Sequence, residues 1–391
     1  MLLSLMVHSA LACGGLVVSS VDLDQIAASD AQQAFFNVGT DAVSVEYRVR
    51  YKGDAASFAW VIPVPGVVTA VEEGSEETFT AAETMTAPDV ARITYGGSGG
   101  GEDDAVVGCG CGADNALKGG DFSDTSGAED SGITIKGSGY AGGYTYTILA
   151  AEDADDFKVW LSANGYDTTI SGPSIDDYVA DSIGFEWVAV QLVPDAPSTP
   201  DGGVLLTPLR IRYAAAEDGG LHVLFPNRMG STAMVDTTRV EVYVLASGFA
   251  DVSGWTAPEN DYEEGIGDSG YGDADLYGSE SDDPEALYEA LLLETGGTQT
   301  AWWNAWAGAY TDPVSGTAGY LTRYDTIVAP ATQTLDAVFT DSGAARDVTT
   351  TIQISGYARV VRGVAGLPFL LGGLAAWATR RRVRRATLQK G

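Results

Sequence analysis

From Val43 to Tyr51 apolar and polar side chains alternate: Val43, Val45, Tyr47, Val49 and Tyr51 against Ser44, Glu46, Arg48 and Arg50. A period of two places each set on its own face of a strand, so one face is expected to be buried. Residues 58–66 read as a second strand whose prolines, Pro63 and Pro65, cannot donate to a ladder, and with Gly53-Asp54 between them the two strands predict a hairpin. Further strands are expected at 144–149, 185–193, 204–213, 239–246, 320–328 and 348–354. The 185–193 segment is apolar on both faces after Glu186, the pattern of a central strand. Helices are expected at 76–85 and after Asp153, where Ala154, Phe157, Trp160 and Leu161 share a face and Asn164-Gly165 closes the element. Another is signalled by Asp283-Pro284, with Leu287, Tyr288, Leu291 and Leu292 on one side. These elements predict an α+β fold, a mostly antiparallel sheet with helices packed on it.

Two stretches break the pattern. Residues 96–143 are dense in glycine and poor in apolar side chains, which predicts a long mobile loop. Residues 259–283 carry ten carboxylates interleaved with glycine and predict a solvated acidic loop. At the start, residues 1–12 hold no charged side chain, and Ala10-Leu11-Ala12 matches the small-x-small cleavage pattern of a signal peptide. At the other end, residues 363–379 are uncharged and precede Arg380, Arg381, Arg382, Arg384 and Arg385. Seventeen residues at about 1.5 Å each span about 25 Å, the lower limit for a transmembrane helix, and the arginines are what the positive-inside rule asks of its cytosolic end. The expected organisation is a signal peptide at 1–12, an extracytoplasmic domain at 13–345, a terminal strand or linker at 346–362, a transmembrane helix at 363–379 and a basic cytoplasmic tail at 380–391.

The 391 residues carry 54 acidic against 21 basic side chains, a net charge of -33. Such a surface repels a phosphate backbone, which excludes nucleic acid as a partner. The hydrophobic fraction of 45% is too high for a wholly disordered chain.

Along the chain stand, in order, Cys13-Gly14-Gly15, the run from Phe58 to Pro65, Cys109-Gly110-Cys111, the run from Tyr146 to Ala154, the run from Trp160 to Tyr166, Thr207-Pro208-Leu209-Arg210-Ile211 and Tyr320-Leu321-Thr322-Arg323-Tyr324. In these pieces and their order the chain resembles the bacterial family grouped as domain of unknown function 2330. The resemblance implies an envelope or secreted protein and no particular activity. Where the family pattern has a second cysteine soon after the opening Cys-Gly-Gly, Val17 and Val18 stand here.

Little catalytic chemistry can be read from the residues. Only His222 remains as an imidazole once residues 1–12 are removed, and an isolated histidine among apolar neighbours reads as a packed or surface residue. The disulfide candidates are Cys13, Cys109 and Cys111. A bond between Cys109 and Cys111 would be strained and reducible, whereas Cys13 paired with one of them would pin the glycine-rich loop, and the structural pairing is preferred. A zinc site from these cysteines and His222 lacks the paired short spacings of known sites. Asp268, Asp273, Asp275 and Asp282 offer calcium hard oxygen ligands without an established motif spacing, so no cofactor is expected. Trp302, Trp303 and Trp306 could stack on a sugar, but their helical spacing points to core packing. The functional expectation is a membrane-anchored cell-envelope protein, a non-enzymatic binding or surface-display module whose partner is the membrane through its C-terminal helix. The alternative is a hydrolase or thiol-redox enzyme using carboxylates or the Cys109/Cys111 pair.

Overall fold

The computed structural model describes residues 15–16, 31–53, 59–87, 89–95, 132–166, 172–192, 199–216, 218–231, 238–253, 303–328, 336–348 and 351–357. Along the chain the strands are β1 (Gly15–Leu16), β2 (Ala31–Val38), β3 (Ala42–Gly53), β4 (Ala59–Val64), β5 (Val67–Glu73), β6 (Asp89–Tyr95), β7 (Ile133–Ala141), β8 (Tyr144–Ala151) and β9 (Glu186–Leu192). They continue as β10 (Thr199–Leu205), β11 (Leu209–Ala214), β12 (Val223–Phe225), β13 (Thr238–Ala246), β14 (Ala250–Ser253), β15 (Trp303–Thr311), β16 (Ala318–Val328), β17 (Ala337–Asp341) and β18 (Thr351–Tyr357). The helices are α1 (Glu76–Thr86), α2 (Ala154–Ala163), α3 (Gly172–Val179) and α4 (Asn227–Ser231). The chain divides into a larger unit, residues 1–93 and 104–355, and a smaller one, residues 94–103 and 356–391.

The frame of the larger unit is a pair of sheets. One runs β1-β4-β9-β8-β7, and the other runs β15-β16-β13-β2-β3-β11-β5 with β10 also paired to β3. In the larger sheet β2 and β13 pair in parallel, while the other pairings within these two sheets are antiparallel. Between the sheets lies the main core. Phe36, Val45, Tyr47, Val240 and Val242 enter it from one side, and Trp60, Ile62, Tyr144, Val188 and Val190 from the other. Tyr47 meets Trp60 edge-on at 5.9 Å between ring centroids. A three-stranded sheet, β12-β17-β14, adds Phe225 and Phe339 to the same core.

The expected α+β architecture is corrected by this arrangement. The protein is predominantly β, two facing sheets that bury their apolar faces against each other, and the longest helix among the described residues, α1, has 11 residues. Alternation within a strand shows that one face is buried but not whether a sheet or a helix covers it. Among the described residues no helix is long and apolar enough to cross a membrane. The expected transmembrane segment 363–379 and tail 380–391 lie outside the described residues, as do the signal segment 1–12, Cys13, Cys109, Cys111, the acidic loop 259–283 and the helix expected after Pro284.

The expected hairpin is also overturned, because β3 and β4 belong to different sheets. The reason is visible in β4. Trp60 and Ile62 face the main core, while Val61 faces a second cluster with Phe157, Tyr178 and Trp187 from α2, α3 and β9. In the smaller sheet β4 therefore finds apolar cover on both faces, from the larger sheet on one side and from α2 and α3 on the other. The chain then crosses to the larger sheet at Gly66, where a Cβ would stand 2.2 Å from the Ala214 carbonyl oxygen. Three smaller expectations also change. The 204–213 strand breaks at Leu206–Pro208 into β10 and β11, the end of the glycine-rich stretch forms β7, and the tryptophan segment is strand β15 rather than helix. Strands at 144–149, 185–193, 239–246 and 320–328 and helices at 76–85 and after Asp153 match β8, β9, β13, β16, α1 and α2.

Candidate functional site

The outward face of the larger sheet is organised in rows, because in-register strands bring alternate residues side by side. One row runs Asp325, Glu241, Gln33 and Arg48 across β16, β13, β2 and β3. The next runs Arg323, Tyr243, Phe35, Glu46, Arg210 and Glu72, and reaches β11 and β5. The third runs Leu321, Leu245, Asn37, Ser44, Arg212 and Ala70.

Helix α1 covers the first row, Arg323, Tyr243 and Phe35 of the second and Leu321 and Leu245 of the third. Ser75 caps it, its hydroxyl accepting from the Glu77 N–H at 3.2 Å. Its buried face presents Phe79 and Ala82 to Phe35, Tyr243, Leu245, Tyr310 and Leu321. Around that apolar patch the charges interlock. Arg323, 0% exposed, donates through Nε to Asp325 at 2.8 Å, through Nη2 to Glu241 at 2.6 Å and through Nη1 to the Thr86 hydroxyl at 3.0 Å. Arg239 donates to Glu241 at 2.7 Å and to Asp325 at 3.2 Å. Arg48 lies 4.7 Å over the Phe79 ring, reaches Glu76 at 3.0 Å and also pairs with Glu83. Gln33 bridges the halves, accepting from Arg48 and donating to Glu83 at 2.8 Å and to Glu241. Glu46 takes two bonds from Arg210, at 3.0 and 2.7 Å, and one at 2.7 Å from the Ser75 N–H.

Two buried carboxyls in this network are pushed apart. Burial alone would raise Glu241, but the charges of Arg323 and Arg239 win and hold it at about 2. Burial raises Asp325 to about 6, Arg323 opposing and the neighbouring Glu241 adding to the rise. Two acids with separated proton affinities can do acid–base chemistry where a substrate reaches them. Here α1 seals the pair and the arginines occupy it, so its evident role is to fasten α1 to four strands.

Leu321 and Leu245 of the third row are buried against α1, and beyond its reach the rest of that row is open. A cleft of about 550 Å³ has Asn37, Ser44, Thr69, Arg212, Ser315 and Thr317 among its lining residues. One wall is the turn between β15 and β16. Asp312 shapes it by accepting from the N–H groups of Val314 and Ser315, both at 3.1 Å, and Gly316 supplies the required positive φ of 70°. Asn37 ties that wall to the floor by donating to the Ser315 hydroxyl at 3.2 Å.

Of the residues singled out from sequence, His222 lies just before β12, with Nε2 2.9 Å from Asp218 Oδ2. The Gly220 N–H and this imidazole hold the Asp218 carboxyl below its usual range. Among the described residues no serine hydroxyl bonds the ring, and the three cysteines lie outside them. Trp306 packs against the apolar patch beneath α1, its indole lying over Gly308. Trp302 and the Trp303 side chain lie outside the described residues, as do Asp268, Asp273, Asp275 and Asp282. Among the described residues no three His, Cys, Asp or Glu side chains gather as metal ligands. The charged rows are not among the features expected from sequence. Their signal is there in Glu46/Arg48, Arg239/Glu241 and Arg323/Asp325, opposite charges two apart on three strands.

A family model described as an uncharacterised protein conserved in bacteria, DUF2330, matches residues 7–340. A search of the curated proteins finds no match. Among solved structures, the crystal structure of baculovirus P35 is similar at TM-score 0.31 and 10% identity, covering 86% of this chain and 99% of that one. A likeness of that size carries no argument.

Proposed function

The chain belongs to the bacterial family DUF2330, conserved and uncharacterised, and we propose that it is an exported, non-enzymatic binding module whose ligand sits in the cleft on the larger sheet. The observation that carries this reading is the contrast between adjacent rows. The first row is locked under α1 with its charges mutually satisfied, whereas Glu46 and Arg210 of the second row and Asn37, Ser44 and Arg212 of the third, further across the same face, line a concavity of ligand size. A floor of hydrogen-bonded strands braced by a buried ionic network loses little freedom when a ligand docks. The buried carboxyls are engaged by arginines and sealed beneath α1, which favours binding over catalysis at this face. Export is supported by the excess of 54 acidic over 21 basic residues, suited to a cation-rich exterior, and by the apolar run and Ala10-Leu11-Ala12 at the N-terminus.

The test is a thermal-shift panel of envelope-derived small molecules and glycans, run on the protein and on Ser44→Trp, which fills the cleft. At least one compound should stabilise the protein and leave the variant unmoved. If every stabilising compound acts equally on both, the cleft is not the site. Fractionation with mass spectrometry of the mature N-terminus tests export, and an intact Met1 in the cytosol would end that part of the reading.

A further inference from the structure

Arg210 and Arg212 occupy successive outward positions on β11, and their partners in register on β3 are Glu46 and Ser44. In the Arg210 row the guanidinium is filled from within, Nε and Nη2 both donating to the Glu46 carboxylate. In the Arg212 row a hydroxyl stands where the carboxylate would be. Among the described residues Arg212 pairs with one acid, Glu72, with 3.4 Å between Nε and Oε2 and both side chains about half exposed. A pair that long and that wet holds its partner weakly. The two Nη groups of Arg212 and the Ser44 hydroxyl meet no hydrogen-bonding partner among the described residues, although both side chains line the cleft.

From this we infer that the cleft takes a carboxylate-bearing sugar of the uronic acid class, its carboxylate bound by the Arg212 fork and the Ser44 hydroxyl. The inference rests on the reading of the cleft as the binding site. The Glu46–Arg210 pair shows, one row away on the same two strands, that this spacing accepts a carboxylate against a guanidinium. There Nε and Nη2 both meet a single carboxylate oxygen, Oε1, and a ligand free to orient its carboxylate could instead take the planar two-oxygen fork that arginine offers. Glu46, Glu72 and Asp312 stand in or beside the cleft and repel any anion, a dianionic phosphate about twice as strongly as a singly charged carboxylate. Beyond the carboxylate, Thr69, Thr317 and Asn37 offer the short polar groups that sugar hydroxyls bond, and about 550 Å³ accommodates one or two rings.

Isothermal titration calorimetry with sodium galacturonate, galactose and inorganic phosphate tests it. Galacturonate should bind the protein, with galactose and phosphate at least about tenfold weaker. Arg212→Gln should weaken galacturonate about tenfold. Ser44→Asp, which supplies the row with an internal carboxylate, should abolish binding. Glu72→Gln, which removes the competing carboxylate, should tighten it about threefold, a gain that no damaged fold would mimic. Galactose binding equal to galacturonate and blocked by Ser44→Trp would sink the carboxylate assignment while leaving the cleft as a site. So would galacturonate that produces no heat, provided the thermal-shift panel still yields a compound blocked by Ser44→Trp. A panel in which nothing is blocked takes both readings down together.

Discussion

Asp325 and Glu241 stand directly opposite each other across the antiparallel pair β16 and β13, and both Arg323 and Arg239 donate to both carboxyls. Two acids held this close titrate as a pair, one ionised at low pH and the other late. Asp325 is the late one, raised by burial to about 6, whereas its carboxyl in an unfolded chain titrates near 4. The folded protein therefore holds this proton more tightly than the unfolded chain does. The stability it contributes is complete below about pH 4 and is lost as pH rises to about 6. Urea unfolding of the protein and of Asp325→Asn at pH 4, 5, 6 and 7 should show the variant gaining on the wild type across that window. A constant difference would mean that Asp325 is ionised throughout.

Arg323 is the more deeply buried of the two cations shared by that pair, with no exposed surface. Arg323→Met would leave Glu241 and Asp325 buried with Arg239 alone, a loss of about 3–5 kcal/mol. The midpoint of chemical unfolding measures it. Arg323→Met combined with Glu241→Gln and Asp325→Asn should be less destabilised than the single variant, since no charge is then stranded.

Away from that network Asp336 joins α3, α4 and the start of β17. It accepts from the Tyr178 hydroxyl at 2.8 Å, from the Arg228 backbone N–H and Nε, each at 2.9 Å, and from Arg228 Nη2 at 2.8 Å. Burial pushes its carboxyl up and Arg228 draws it back. Asp336→Ala should cost about 3 kcal/mol, stranding the guanidinium, and Tyr178→Phe about 1 kcal/mol. Hydrogen exchange should localise both losses to α3 and α4.

Helix α2 begins at a single side chain, with Asp153 accepting from the N–H groups of Asp155 and Asp156 at 2.9 and 3.0 Å. Asp153→Ala should cost about 1 kcal/mol, and Asp153→Asn much less because the amide oxygen still caps. Thermal melts of both variants decide whether the hydrogen bond or the charge matters.

These elements differ in how far the sequence discloses them. Asp153, Asn164 and Gly165 announce both ends of α2, because capping is local chemistry within a few residues, and Gly165 does adopt a positive φ of 87°. The doubly apolar run from Trp187 to Val190 likewise marks β9 as a strand covered on both faces. Glu46 and Arg48 mislead, since charges on alternate positions look solvated, yet α1 buries them. That cover depends on a helix beyond two further strands and on β13 and β16, which come from the far half of the chain, and no period within a strand can report such partners. The cleft is hidden for the same reason. Ser44 and Arg212 are remote in sequence, and only the register of β11 on β3 makes them neighbours.

The parallel seam of β2 on β13 brings Gln33 beside Glu241, 208 positions later in the chain. A nascent polypeptide thus carries the first half of its widest sheet with one flank unmatched until most of its length has been made, and Asp325 arrives later still. Fragments that stop before β16 expose β13 as an open edge and strand the acid Glu241 without Arg323, so truncation from the C-terminal side should produce aggregation rather than a smaller folded protein.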